Sequence, residues 1–191
     1  MDGIDEYLER LASSDPVPGG GSAAALTAAV AAALVAMVGR IVSPPLDGLA
    51  SDADRLRAEL AKARRRDEAA YAAVIAAQAL PKRDDAEKAA RAGALEAALH
   101  GAAEAPLHAA ELALDVLRLS DRLSEKPRGA LASDVACAAE FARAAVAACA
   151  YNVRINHRYM RDDGVVREQA AALARIEQEA SQIVERVRAA L

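Results

Sequence analysis

The sequence predicts an all-α fold, a bundle of about six to seven helices around a long central alanine-rich helix. Three observations predict it. Apolar residues recur at helical spacing in nearly every segment, no stretch alternates with the period of two that a half-buried strand requires, and alanine, the strongest helix former, is the commonest residue. Aromatics make up only 3% and Trp is absent, so a core of small side chains has to be built from closely approaching helices. At 191 residues the chain is long enough for one sizeable core and nothing marks a second; residues 1–191 read as a single helical domain.

Taken in order, Ile4, Tyr7, Leu8 and Leu11 predict a short amphipathic helix from Asp2 to about Ala12 with one face packed down. The string Pro16-Val-Pro-Gly-Gly-Gly-Ser22 then reads as a flexible glycine loop feeding the central helix, Ala23 to Gly39. Val17 to Gly39 carries no charge and is long enough to span a bilayer at about 20 residues. Its content is mostly alanine and glycine, which add little insertion energy, and no second such span partners it, so the centre of a bundle is expected and a membrane is not.

Ser43-Pro-Pro45 and Gly48 break the pattern into a loop, and a long helix follows from about Ser51 to Leu80. Leu56, Leu60, Ala63, Asp67, Tyr71, Val74, Ile75 and Gln78 share a stripe of it. Leu80-Pro81-Lys82 closes that helix, Asp84 or Asp85 caps the next, and Pro106 is expected to start or kink a further segment, Leu107 to about Leu123. A loop at Glu125 to Gly129 holds Pro127. Ser133 or a neighbour caps a long helix from Asp134 to about Arg161, and Val165 to Leu191 forms a last amphipathic helix after Asp162-Asp163-Gly164.

Net charge is only −4 and no basic stripe stands out, so nucleic acid is not an expected partner. Cys137 and Cys149 lie twelve apart in a helical pattern, too far to bridge, and neither sits in a metal-ligand spacing. Together with an N-terminal stretch that lacks the basic start and apolar run of a signal peptide, they point to a reducing cytoplasmic compartment.

Few residues carry candidate chemistry. Three glycines before a helix leave backbone amides open to a ligand, which is either an anion or oxyanion cradle or a tight turn with close packing. Asp67 falls on or beside an apolar stripe, where a carboxylate is expensive to bury unless it is paired with a nearby arginine or used. Asp134 and Asn152 are eighteen apart, on one helix face yet separated by roughly 27 Å, so both can serve one site only if a second subunit brings opposite ends together. Asn152 and Asn156, four apart, either bind something polar jointly or hydrogen-bond between helices. His100, Glu104, His108 and Glu111 recur at a spacing that can align metal ligands, but Pro106 interrupts them and no Glu-x-x-His pair occurs; a solvated face is expected and no metal.

The strings LASSDPVPGGGSAAALTAAVAAALVAMVGRI, DEAAYAAVIAAQALPK, APLHAAELALDVL and SDVACAAEFARAAVAACAYNVRIN occur in this order over nearly the whole chain. In that combination the sequence resembles the cyclodeaminase/cyclohydrolase family, which includes formiminotetrahydrofolate cyclodeaminase and a bacterial methenyltetrahydrofolate cyclohydrolase. The resemblance implies a helical homodimer with folate clefts between subunits, a tetrahydrofolate derivative as substrate, and no metal or redox cofactor. By motif it carries over Gly19, Gly20, Gly21, Ser22, Lys82, Asn152 and Asn156 as substrate-binding positions and Asp67 and Asp134 as candidate catalytic carboxylates. The leading implied activity is hydrolysis of 5,10-methenyltetrahydrofolate to 10-formyltetrahydrofolate; the alternatives are cyclodeamination with release of ammonia, or folate binding without catalysis. After the central helix this chain reads GRIVSPPLDGLASDA, with no Tyr, Lys or His where family members carry Thr-Tyr-Gly-Lys-Lys and the mammalian enzymes a nearby proton-donating histidine. That departure counts against deamination.

Overall fold

The computed structural model describes residues 3–126 and 129–190, and in them the chain forms six α-helices and no strand. They are α1 (Ile4–Leu11), α2 (Gly20–Ile41), α3 (Asp47–Gln78), α4 (Asp85–Ser124), α5 (Ala130–His157) and α6 (Asp163–Ala189). The expected helix start at Asp2, the loop residue Pro127 and the expected end at Leu191 lie outside the described residues.

α2 is the axis of the bundle and packs on α3, α4 and α5. By length and composition it is apolar enough to cross a membrane, yet Ala24, Ala28, Ala31, Ala32, Val35 and Val38 are buried among its neighbours. Alanine faces let these backbones approach closely, and Gly39 continues the pattern: a Cβ there would meet Leu49 Cδ2 at 3.3 Å. Larger residues from the surrounding helices, such as Leu60, Leu117, Leu123, Leu173 and Ile183, fill the space left by the small ones.

Four local expectations change. α2 begins at Gly20, so Gly20, Gly21 and Ser22 form its first turn rather than a loop, and all three glycines have ordinary dihedrals, Gly129 alone having a positive φ among described glycines. α4 runs unbroken for 40 residues through Pro106, so no new segment starts there. Proline at 106 cannot donate to the Ala102 carbonyl one turn back, and the Asn156 side chain supplies the missing donor from α5, Nδ2 to Ala102 O at 2.8 Å. α5 starts at Ala130 behind Gly129 (φ +61°), and Ser133, expected as its cap, instead donates to the Ala130 carbonyl. α1 is not packed along a whole face: Tyr7 is buried, 3% exposed, while Ile4 and Leu8 stand in solvent.

The remaining starts follow capping rules. Asp84 accepts the Glu87 amide at 2.8 Å, and Asp162 accepts the amides of Gly164 and Val165. α6 is tied across the bundle by Arg118, whose Nε and Nη2 reach the Glu179 carboxylate at 2.7 and 2.8 Å.

Candidate active site

The first turn of α2 has no cap of its own, because Gly19 at the N-cap carries no side chain. A helix start leaves amides without intrahelical partners. α3 fills the gap: the Asp67 carboxylate faces the Ser22 N–H, which favours its ionised form. The approach is so close that a Cβ on Gly21 would lie 2.6 Å from Asp67 Cγ and 2.8 Å from its Oδ2. Glycine at 21 is therefore required by contact, not by dihedral; Gly21 is buried, and it is Gly20, exposed at the helix start, whose amide faces a ligand.

α5 closes the other side. Where Gly20 would carry a Cβ, Asn152 Nδ2 lies at 3.5 Å and Oδ1 at 3.8 Å. The Asn152 amide is oriented by a bond from its own Nδ2 to the Ala148 carbonyl at 2.9 Å. One turn below is Cys149, whose thiol burial and the Asp67 charge push up to about 12.

Asp67 has no salt-bridge partner among the described residues, so the arginine pair, one of the two readings of its position, is not formed. That cation goes next door. Glu68 takes Arg64 Nη1 at 3.4 Å, at the favourable i,i+4 spacing, and Arg10 Nη2 from α1 at 3.1 Å. It also accepts Ser22 Oγ at 2.9 Å, and the Tyr7 hydroxyl lies 3.0 Å from the same Oγ. Left with one amide, Asp67 behaves as a half-buried carboxyl in poor solvation. Burial lifts it from the ordinary 3.8 to about 6; the Ser22 amide opposes the rise and the adjacent Glu68 charge adds to it.

One turn along α3 and α5 from Asp67 and Asn152, a cleft of about 330 Å³ is lined by Tyr71, Val74, Gln78, Leu99, Asn156 and Tyr159, with Leu95 and Ile155 beside them. Tyr71 and Tyr159 are 45% and 66% exposed, apolar area that a flat ring can cover. Asn156 borders the cleft, but both protons of its amide are engaged, with Ala102 O and Asn152 O at 2.8 Å each. Its Oδ1 is the atom left for a ligand. Lys82 is exposed on the connection beyond Gln78.

Asp134 is not part of this constellation. It lies in the first two turns of α5, roughly 22 Å along the helix from Cys149. The His100–Glu111 spacing gathers nothing either: among the described residues no group of three His, Cys, Asp or Glu is placed to hold a metal ion, and His108 pairs with Glu111 at 3.4 Å in the open. Glu68, Tyr7 and Arg10 escaped the sequence reading. The signal for Glu68 was present in its i,i+4 relation to Arg64; the part played by α1 had none, because it depends on where a separate helix docks.

Comparison with known proteins supplies the rest. The family model described as formiminotransferase-cyclodeaminase matches residues 3–175. A methenyltetrahydrofolate cyclohydrolase of Methylorubrum extorquens is 34% identical over 193 aligned positions, covering 96% of this chain and 93% of that protein. The crystal structure of formiminotetrahydrofolate cyclodeaminase from Thermotoga maritima superposes with a TM-score of 0.89 at 24% identity, over 100% of this chain and 96% of that one, which shows a shared fold.

Proposed function

This chain belongs to the formiminotransferase-cyclodeaminase family, and from that premise we propose that it hydrolyses 5,10-methenyltetrahydrofolate to 10-formyltetrahydrofolate, with Asp67 as general base. The observation that carries the reading is a carboxylate without a cation partner among the described residues, raised to about 6 and held against the first turn of a helix beside an aromatic cleft. Such a group is ionised at neutral pH yet basic enough to accept a proton, which a carboxylate neutralised by arginine is not.

The substrate is a cation delocalised over two nitrogens and the carbon between them. Water adds to that carbon while Asp67 takes one of its protons, giving a neutral carbinolamine. The bond from that carbon to N5 then breaks as the hydroxyl gives up its proton to form the carbonyl and N5 takes a proton, so that the formyl group stays on N10; one proton is released overall. The Asp67 charge favours the cationic substrate as it docks. Tyr71 and Tyr159 offer flat surfaces to its rings, the Gly20 amide and the carbonyl oxygens of Asn152 and Asn156 offer polar contacts, and Lys82 or a neighbouring arginine pairs with the carboxylates of the glutamate tail.

The reading includes a homodimer. α2 and α5 pack on each other, and each leaves an uncharged row exposed: Val30, Met37 and Ile41 on α2, Phe141, Tyr151 and Ile155 on α5. A two-fold axis across α2 sets the two copies antiparallel and brings the Asp134 end of one α5 toward the glycine end of the other α2. That is the arrangement in which Asp134 reaches a site.

Loss of the near-ultraviolet absorbance of 5,10-methenyltetrahydrofolate on mixing with the protein tests the activity. Turnover abolished in Asp67→Asn is expected; full turnover in that variant overturns the assignment of the base. Ammonia release from formiminotetrahydrofolate with no effect on the methenyl compound supports cyclodeamination instead, and folate binding without either reaction supports the non-catalytic reading. Met37→Glu is expected to yield monomers in sedimentation, and an intact dimer overturns the proposed interface.

A further inference from the structure

Asp67 and Glu68 are adjacent carboxylates with opposite surroundings. Glu68 gathers Arg10 from α1, Arg64 from the preceding turn and the Ser22 hydroxyl from α2, whereas Asp67 takes the Ser22 amide alone among the described groups. Arg64 lies at i+3 from Asp67 and i+4 from Glu68, so either carboxylate is within its reach along one helix face. Two features decide between them. Glu68 is already fixed by Ser22, and the Tyr7 ring sits beneath the Arg64 guanidinium, 4.6 Å from its centroid, with the Tyr7 hydroxyl 3.0 Å from Ser22 Oγ. Ser22 thus meets both carboxylates, its hydroxyl donating to Glu68 and its amide facing Asp67, and it is fully buried.

We propose that Glu68 is a positioning residue for the Asp67 centre: it fixes the first turn of α2 through Ser22 and, by holding Arg64, keeps that cation off the Asp67 carboxylate. The proposal rests on Asp67 being the base, and it adds why that base is not neutralised on a helix that carries three consecutive arginines, Arg64 to Arg66, just before it. The ionisable groups set against Asp67 are Glu68 on its own helix and the Cys149 thiol on α5. α1 brings Arg10 and Tyr7 to Glu68, α2 presents the neutral Ser22, α5 adds the neutral Asn152 amide, and no ionisable side chain of α4 shifts the group.

The test is a carboxyl ¹³C NMR titration of the full chain labelled in aspartate, with Asp67 assigned by its loss in Asp67→Asn. Glu68→Gln is expected to move the Asp67 midpoint down by about 1–2 pH units, because the Glu68 charge that raises it is gone and the freed Arg64 turns to it; the double variant with Arg64→Met separates the two causes. Adding Arg64→Met to Glu68→Gln is expected to bring the midpoint back up. A midpoint in Glu68→Gln at or above the wild-type value overturns the proposal, and so does a double variant that titrates like the single one. Arg64→Met alone keeps Glu68 in place and carries the test if Glu68→Gln does not fold. Its Asp67 midpoint is expected to stay where it is, and a rise of about one pH unit shows that Arg64 already served Asp67, which overturns the proposal. The acid limb of kcat/KM separates this inference from the reading beneath it. If the NMR midpoint moves and the acid limb follows, both stand; if the midpoint moves and the limb does not, Glu68 keeps its role and Asp67 is not the base.

Discussion

Replacing Gly21 by alanine separates a site residue from a merely structural one. The new methyl carbon would lie 2.6 Å from Asp67 Cγ and 2.8 Å from Oδ2, well inside van der Waals contact. Overpacking of a rigid neighbour costs about 1–3 kcal/mol, and alanine in a helix returns up to about 1 kcal/mol over glycine. Asp67 is a short side chain that can rotate away, so the net loss of stability is expected at the low end, about 0–2 kcal/mol. Rotation relieves the clash by moving the carboxylate itself. A displacement near 1 Å at a reacting group costs on the order of 100-fold in rate. Gly21→Ala is therefore expected to melt within a few degrees of the parent and to lose about two orders of magnitude in kcat/KM on methenyltetrahydrofolate. Gly93→Ala is the control: it lies exposed inside α4 with nothing within 4 Å of the added carbon, and it is expected to gain about 0.5–1 kcal/mol with unchanged kinetics. Full activity in Gly21→Ala would refute the assignment of Asp67 to the reacting centre.

Three further outcomes follow from the same geometry. A carboxyl raised from 3.8 to about 6 stabilises the native state fully below pH 3.8 and loses that contribution as pH rises through about 6; at about 1.4 kcal/mol per pH unit the loss is about 3 kcal/mol. Asp67→Asn, which cannot ionise, is expected to be more stable than the parent in urea at pH 7.5, to show little difference at pH 3.5, and to be inactive. Asn156→Ala strips the Ala102 carbonyl of its donor and is expected to cost about 1–3 kcal/mol; the cost shrinks in a Pro106→Ala background, where the residue-106 amide returns to that carbonyl, and an equal cost in both backgrounds refutes the link. Cys149, fully buried and raised to about 12, is expected to resist a disulfide reagent at pH 8 until the chain unfolds, as followed by thiol release during a denaturant titration.

Much of this protein is local and was therefore legible in its residues. Helical period, the alanine excess, the caps at Asp84 and the Asp162 turn, and the uncharged run of α2 depend on neighbours within about four positions, and each led to the helix observed. The family motifs likewise named Gly19 to Ser22, Asp67 and Asn152, which the fold brings together at the head of α2. Tertiary contact decided the remainder. A new segment at Pro106 follows only if its lost hydrogen bond is counted along one stretch of chain, whereas the donor comes from Asn156, fifty residues on. The glycines were read as a freely bending loop, yet their dihedrals are ordinary and what they provide is room for a carboxylate from another helix. For Asp67 the sequence leaves open an arginine pair or a working carboxylate, and the arginines pair with Glu68 instead. Sequence spacing puts Arg64 within reach of both carboxylates; which of the two it neutralises is fixed by a tyrosine ring and a serine hydroxyl delivered by α1 and α2, and so by packing alone.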